Sequence, residues 1–323
     1  MLGKFTYVRA TSIPSAVMAA GRPGAQILAG GTDLLGCLRD EVFTASTVVG
    51  ISGIKGLKGI TPRPGGGLRV GALATLTEVA ENKQVLDGYP VLAQAAAAAA
   101  SPQLRNQGTI AGNICQRPRC WYYRGDFQCL RKGGDTCFAA SGENEHNCIF
   151  GGAPCFIVHP SDTAPALVAL DAKVSITGAK GSRTIPLASF FVLPADNVRQ
   201  ENILVPGEVV SEILLDPPAA GARSKYRKVR ERGAFDFATA AAAVVLTLAG
   251  GKVATARVVL GGVAPKPWRS EEAEKALIGK ALDAGTVAQA AAAAVKNASP
   301  FPQNGYKVPL VRGILEETLT SLA

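Results

Sequence analysis

The chain has 323 residues, enough for two domains or one large one, and its hydrophobic content of 47% is that of an ordinary globular protein. The charge balance is +9, from 34 Lys and Arg against 25 Asp and Glu. Apart from Arg223 to Arg232, a run with one aromatic (Tyr226), the basic residues are scattered, so a solvated strand face is a better reading than nucleic-acid binding. The charged fraction, 18%, is low and points to surface covered by other chains. No apolar run approaches the roughly 20 residues of a membrane span. The start, MLGKFTYVRATS, lacks the apolar core of a signal peptide, so the chain is expected in the cytoplasm unless it travels with an exported partner.

In chain order, Phe5 to Arg9 reads as a first strand, and Ser12 caps a helix that runs to Gly21. A short apolar strand, Ala25 to Leu28, runs into Ala29-Gly30-Gly31-Thr32-Asp33-Leu34-Leu35 and a helical pattern to about Asp40. Strand, Gly-Gly turn and helix in that order suit an anion: glycine lets the backbone come close, and the helix start offers unpaired N–H groups. The same pattern also serves as an ordinary glycine turn, being neither G-x-G-x-x-G nor a P-loop. Thr47 to Ile51 and Leu68 to Ala72 are strands, Thr75 opens a helix, and alanine-rich Val91 to Ala100 is a packed internal helix. Gln103 to Gln116, with Arg105, Asn106, Thr109, Gly112 and Asn113, reads as a polar turn able to hydrogen-bond a ligand.

From there to Asp162 the chain shows no helical or strand periodicity, and Gln103 to Asp162 holds six of the seven cysteines. A loop this long inside a compact domain is usually functional or disordered. Here a cross-link is expected to order it, since it carries few apolar residues. Seven is an odd number, which argues against a complete disulfide framework and for a metal site. No two cysteines of the segment form a C-x-x-C knuckle, which disfavours a zinc ribbon and suits a larger inorganic core. Cys37 and Cys115 read as small buried residues, and either Cys148 or Cys155 can complete a four-thiolate set. Arg131 and Lys132 can offset a negative cluster. His146 and His159, the only histidines, are read as structural.

Beyond the loop, Ala166 to Leu170 is a helix, and Ala172 to Ile176 and Val209 to Leu215 are strands. Asp216-Pro217-Pro218 to Gly221 marks the best domain boundary. Ala238 to Leu248 and Lys252 to Leu260 form a hairpin through Gly250-Gly251. Helices follow at Ser270, with acids in the first turn, and at Ala284 to Val295 and Val311 to Leu322.

Four separated motifs, in order along nearly the whole chain, carry a resemblance. Ala29 to Leu34, Leu104 to Asn113, Ser161 to Leu167, and Lys228 with the Gly261-Gly262-Val263-Ala264 turn resemble the FAD-binding subunits of molybdenum hydroxylases, the xanthine dehydrogenase family. Gln116 to Cys120, Cys129, Cys137, Cys155 and the segment Gly262 to Arg269 look closest to the branch of periplasmic aldehyde oxidoreductases, whose flavin subunit carries a [4Fe-4S] insertion.

The resemblance implies an α+β fold. A two-lobed FAD domain is expected over 1–216 (lobes about 1–58 and 59–216, cluster loop 115–160), and a smaller C-terminal α/β domain over 222–323. It implies FAD held by Gln26, Ile27, Leu28, Ala29, Gly30, Gly31, Thr32, Asp33 and Leu34 on the pyrophosphate side. Thr109, Gly112, Asn113, Asp162, Leu204 and Lys228 are the other implied cofactor contacts. The cluster would be held by Cys120, Cys129, Cys137 and Cys155. No residue is expected to act as a general acid or base. The implied partners are a large molybdenum-cofactor subunit, a small [2Fe-2S] subunit and an external electron acceptor, with no nucleic acid. The β subunit of an aromatic acyl-CoA reductase of the 4-hydroxybenzoyl-CoA type is the alternative within the family, and a non-redox zinc-binding scaffold is the alternative outside it.

Overall fold

A computed structural model describes residues 2–323. Three sheets carry the chain. The first is parallel, with strands Thr6–Arg9, Thr47–Gly50 and Ala25–Leu28 side by side in that order and Thr47–Gly50 fully buried in the middle. Helix Ile13–Ala20 crosses between its first two strands in sequence. It starts as the sequence predicts, with Ser12 and Ser15 forming a reciprocal capping box.

The second sheet is antiparallel, in the order Ile60–Pro62, Leu68–Gly71, Val209–Leu215, Lys173–Gly178, Gly181–Pro186. Val209–Leu215 returns to its centre after more than 100 residues of intervening chain, so the cysteine-rich segment is an excursion between strands of one sheet. Helix Pro90–Ala98 packs its alanines on this core, and Ala95 and Ala96 are wholly buried.

The third sheet is also antiparallel: Trp268–Arg269, Lys252–Gly261, Ala240–Ala249 and Arg223–Val229. Its hairpin turns at Gly250 and Gly251, both at positive φ, as the Gly-Gly pair predicts. Helices Glu271–Leu277, Ala284–Ala294 and Lys307–Thr320 follow, and residues from all three lie with the hairpin in one core. Within the basic run, Arg223–Val229 is an edge strand that buries Tyr226 inward while Arg227 stays exposed. It packs on helix Pro90–Ala98 and is a seam with the flavin-side core as well as a solvated face.

Two stretches differ from the sequence reading. Gln103 to Gln116 is built from two short helices, Pro102–Arg105 and Ile110–Ile114, each capped by a hydroxyl, Ser101 and Thr109. Four or five residues are too few to show a period. The cysteine-rich segment is irregular, as expected, but it is not poor in apolar contacts. Tyr122, Phe127 and Phe138 form an aromatic cluster with centroids 5.0 to 5.9 Å apart, and Ile149 and Phe150 enter the C-terminal core. The Val263 carbonyl accepts from the Ile149 and Phe150 amides, and the Ala264 carbonyl from the His159 amide, so the Gly-Gly-Val-Ala turn is a ledge under the end of the segment. Among the described residues, no helix is long and apolar enough to cross a membrane.

Candidate functional site: a glycine-lined cleft beside a cysteine cavity

A cleft of about 550 Å³ opens where the parallel layer, the helix caps at Thr109 and the Pro160–Asp162 segment meet. Its floor is the Gly-Gly turn. Gly31 sits at φ +76, a conformation that only glycine adopts freely. A Cβ on Gly30 would overlap the Gln107 carbonyl, so the two motif loops touch backbone to backbone there. None of the described residues accepts a hydrogen bond from the amides of Gly30 to Leu34. Successive free N–H groups around a left-handed residue make a concave nest for an anion. The helix that follows, Leu34–Arg39, has six residues, so the loop amides supply this nest more than a long helix dipole does.

The opposite wall is polar and held from behind. Thr109 Oγ1 accepts from the Gly112 amide at 3.1 Å. Asn113 Oδ1 accepts from Ser161 Oγ at 2.5 Å and Thr163 Oγ1 at 2.6 Å, which leaves its amide NH2 for a ligand. Asp162 takes Tyr226 OH on one carboxylate oxygen and Lys228 Nζ on the other, at 2.7 and 2.8 Å. Burial drives the Asp162 carboxyl upward, against the pull of Lys228 and Tyr226. His159 is buried, bonded through Nε2 to the Ile114 carbonyl at 3.2 Å, and burial lowers its pKa to about 4, so it stays neutral and structural.

The sequence-predicted residues Gln26, Ile27, Ala29 to Leu34, Thr109, Gly112, Asn113, Asp162 and Leu204 all line this cleft. Leu28 packs behind it with Leu38, Ala45 and Val48. Lys228 lies behind Asp162, also donating to the Ala98 and Asp236 carbonyls. Asp33 faces the cleft, but its carboxylate is used within the protein. It accepts from Arg119, from Arg124 Nη2 at 2.8 Å and from the Arg117 amide at 2.7 Å. Burial would raise its pKa, yet Arg119 and Arg124 more than offset this and hold it below the ordinary value. Cys115 lines the cleft as well and is only half-buried by exposure; desolvation pushes its thiol up to about 12, so it is inert. Sequence reasoning did not assign Arg117 and Arg119 to the cleft, although they lie in the Gln116 to Cys120 segment, and it missed Phe237 and the Gln200–Asn202 turn, which belong to no motif and reach the cleft by tertiary packing alone.

Next to the cleft, Cys120, Cys129, Cys137 and Cys155 line one small cavity, closed by Tyr122, Tyr123, Leu130, Arg131, Phe138 and Ile157. Cys148 and Cys37 lie outside it. Burial raises the Cys148 thiol to about 12, and Cys37 sits at 2.9 Å from Arg124 Nη1. The neighbouring thiols of Cys137 and Cys155 influence each other, which lowers the first and raises the second. With the thiols so placed the cavity holds about 10 Å³. Among the described residues no three His, Cys, Asp or Glu side chains converge on a single ion. A four-iron cluster would take four cysteine thiolates, and the four cysteines lining this cavity match that donor set. One buried donor on this wall has no partner, Arg131 Nε.

Comparison with known proteins defines the family. Residues 3–215 match the model of the FAD binding domain in molybdopterin dehydrogenase, and residues 224–322 that of the CO dehydrogenase flavoprotein C-terminal domain. The chain is 40% identical to the aldehyde oxidoreductase FAD-binding subunit PaoB of Escherichia coli, over 84% of this chain and 86% of that one. It is 30% identical to the carbon monoxide dehydrogenase medium chain of Hydrogenophaga pseudoflava, over 92% and 88%. A solved carbon monoxide dehydrogenase from that organism superposes with a TM-score of 0.80 at 28% identity, covering 100% of this chain and 98% of that one. The chain is thus a flavoprotein. It belongs to the FAD-binding subunits of the molybdopterin dehydrogenase, or molybdenum hydroxylase, family and is an oxidoreductase subunit.

Proposed function

We propose that the chain is the FAD- and [4Fe-4S]-carrying electron-transfer subunit of a heterotrimeric, aldehyde-oxidising molybdenum hydroxylase. The observation that carries this reading is that Cys120, Cys129, Cys137 and Cys155, spread over an irregular segment, line one small cavity beside the glycine-lined cleft. The aldehyde class is supported by the 40% identical relative. Residues 1–216 serve as the flavin domain, with its cluster loop at 115–160, and 222–323 as the cap.

In this reading the amides of Gly30 to Leu34 bind the pyrophosphate. Thr109, Gly112, Asn113 and Asp162 orient the flavin side, with Lys228 fixing Asp162 from behind and Leu204 adding an apolar wall. The four thiolates hold the cluster. Bound FAD and cluster supply the electron chemistry, while the protein supplies position and electrostatics. Substrate oxidation belongs to a large molybdenum-cofactor subunit, electrons arrive through a small [2Fe-2S] subunit, and an external acceptor takes them away. The chain works in the cytoplasm, or in the periplasm where an exported partner carries it. The test is anaerobic purification with metal analysis and a visible spectrum. Iron with flavin and iron–sulfur absorption supports the proposal; zinc without iron overturns the cluster, and absence of co-purifying subunits overturns the assembly.

A further inference from the structure

Arg131 is a buried cation with an unpaired N–H beside the cysteines. Its side chain is wholly buried, and it lines the cysteine cavity. Nη1 donates to the Val198 carbonyl at 2.5 Å and Nη2 reaches the Gln200 carbonyl at 3.5 Å, while Nε has no partner. Glu201, 3% exposed, stands behind it, with Oε1 3.3 Å from Arg131 Nη1 and Oε2 2.8 Å from Arg117 Nη1. A guanidinium is charged at every working pH. Burying one with an N–H left unmade is costly; Glu201 Oε1 is also unpaired, but it faces Nη1 at 3.3 Å, and the cavity that Arg131 lines is where an acceptor for Nε can sit.

We propose that Arg131 Nε–H donates to a sulfur of the iron–sulfur group held by the four cysteines, and that Arg131 and Glu201 together set that group's reduction potential. The inference rests on the cluster reading above and deepens it. Reduction adds one electron, and so one negative charge, to a four-thiolate cubane, with no bond to the protein made or broken. A fixed cation with a free N–H on the wall stabilises that added charge and raises the potential; the Glu201 carboxylate behind it opposes the effect.

The test is a dithionite titration followed by EPR on anaerobically purified protein with its accompanying subunits, at pH 8. At the wild-type midpoint, Arg131→Gln should lower the reduced-to-oxidised ratio about tenfold, which is about 59 mV for a one-electron couple. Glu201→Gln should raise that ratio. Arg131→Lys, which keeps the charge and loses Nε, should fall between Arg131→Gln and the wild type. Iron content should hold in all three, with flavin content measured alongside. Unshifted midpoints, or shifts of the same sign in Arg131→Gln and Glu201→Gln, overturn the proposal. If Arg131→Gln loses its iron, Glu201→Gln alone decides; iron lost from both marks a purely structural role and overturns it as well. Absence of iron from the wild type instead overturns the cluster reading itself.

Discussion

Lys228 and Asp162 meet at 2.8 Å with side chains 3% and 5% exposed, a buried ion pair joining the C-terminal sheet to the flavin segment. Tyr226, two residues before Lys228 on the same strand and face, donates to the other oxygen of Asp162 at 2.7 Å. One strand therefore sets the orientation of a cleft residue on the other side of the seam. Lys228→Met leaves a buried carboxylate without its cation and should cost about 3 kcal/mol. Asp162→Asn/Lys228→Met should recover part of that, because the pair is removed together. Thermal unfolding with flavin content checks this; equal losses in single and double variants would show that the pair is not coupled.

The two glycines of the turn should fail in different ways. Gly30→Ala forces a Cβ onto the Gln107 carbonyl and must separate the two motif loops, so the purified protein should lack most of its flavin. Gly31→Ala meets only the Leu28 and Leu35 side chains, each at 3.1 Å, but must hold φ +76. It should cost about 1 to 2 kcal/mol and keep part of the flavin, while Gly31→Val, β-branched in the same conformation, should lose it. Full flavin occupancy in Gly30→Ala would refute the backbone contact.

Asp33 gives a pH dependence with a definite sign. Its pKa in the folded protein is lowered, with Arg119 and Arg124 offsetting burial. The stability it contributes is therefore fully present above the ordinary carboxylate value of about 4 and is lost as pH falls through the lowered folded value. Asp33→Asn should cost about 2 kcal/mol at pH 7, and the gap to wild type should close in strong acid. Unfolding measured across that range is the check; a gap that persists below pH 2 would refute the ion-pair origin.

For the cysteines, serine replacements at 120, 129, 137 and 155 should each abolish or cripple the iron centre, since serine is a harder ligand than thiolate. Cys148→Ser and Cys115→Ser should keep it. Because the segment has its own aromatic cluster and arginine ties, loss of iron should increase proteolysis between residues 120 and 155 only moderately, about twofold to tenfold in rate. Iron content and timed digestion read both effects, and iron retained in Cys155→Ser but lost in Cys148→Ser would reassign the fourth ligand.

Local chemistry wrote much of this protein directly into its sequence. The Ser12 cap, the Ala25–Leu28 strand, the Gly250-Gly251 hairpin and the Val209–Leu215 strand depend on propensities and periods a few residues long, and all are visible in the chain. The Gly-Gly turn was legible as a turn, because the positive φ that Gly31 adopts is a local property of the backbone. What tertiary structure decided is which distant groups share a space. That Asp33 spends its carboxylate on Arg119 and Arg124, that Lys228 stands behind Asp162, and that Cys155 lines the cavity while Cys148 does not, each depend on side chains from separated segments. Sequence spacing sets how far a chain can reach; burial and charge pairing between elements select among the contacts within that reach.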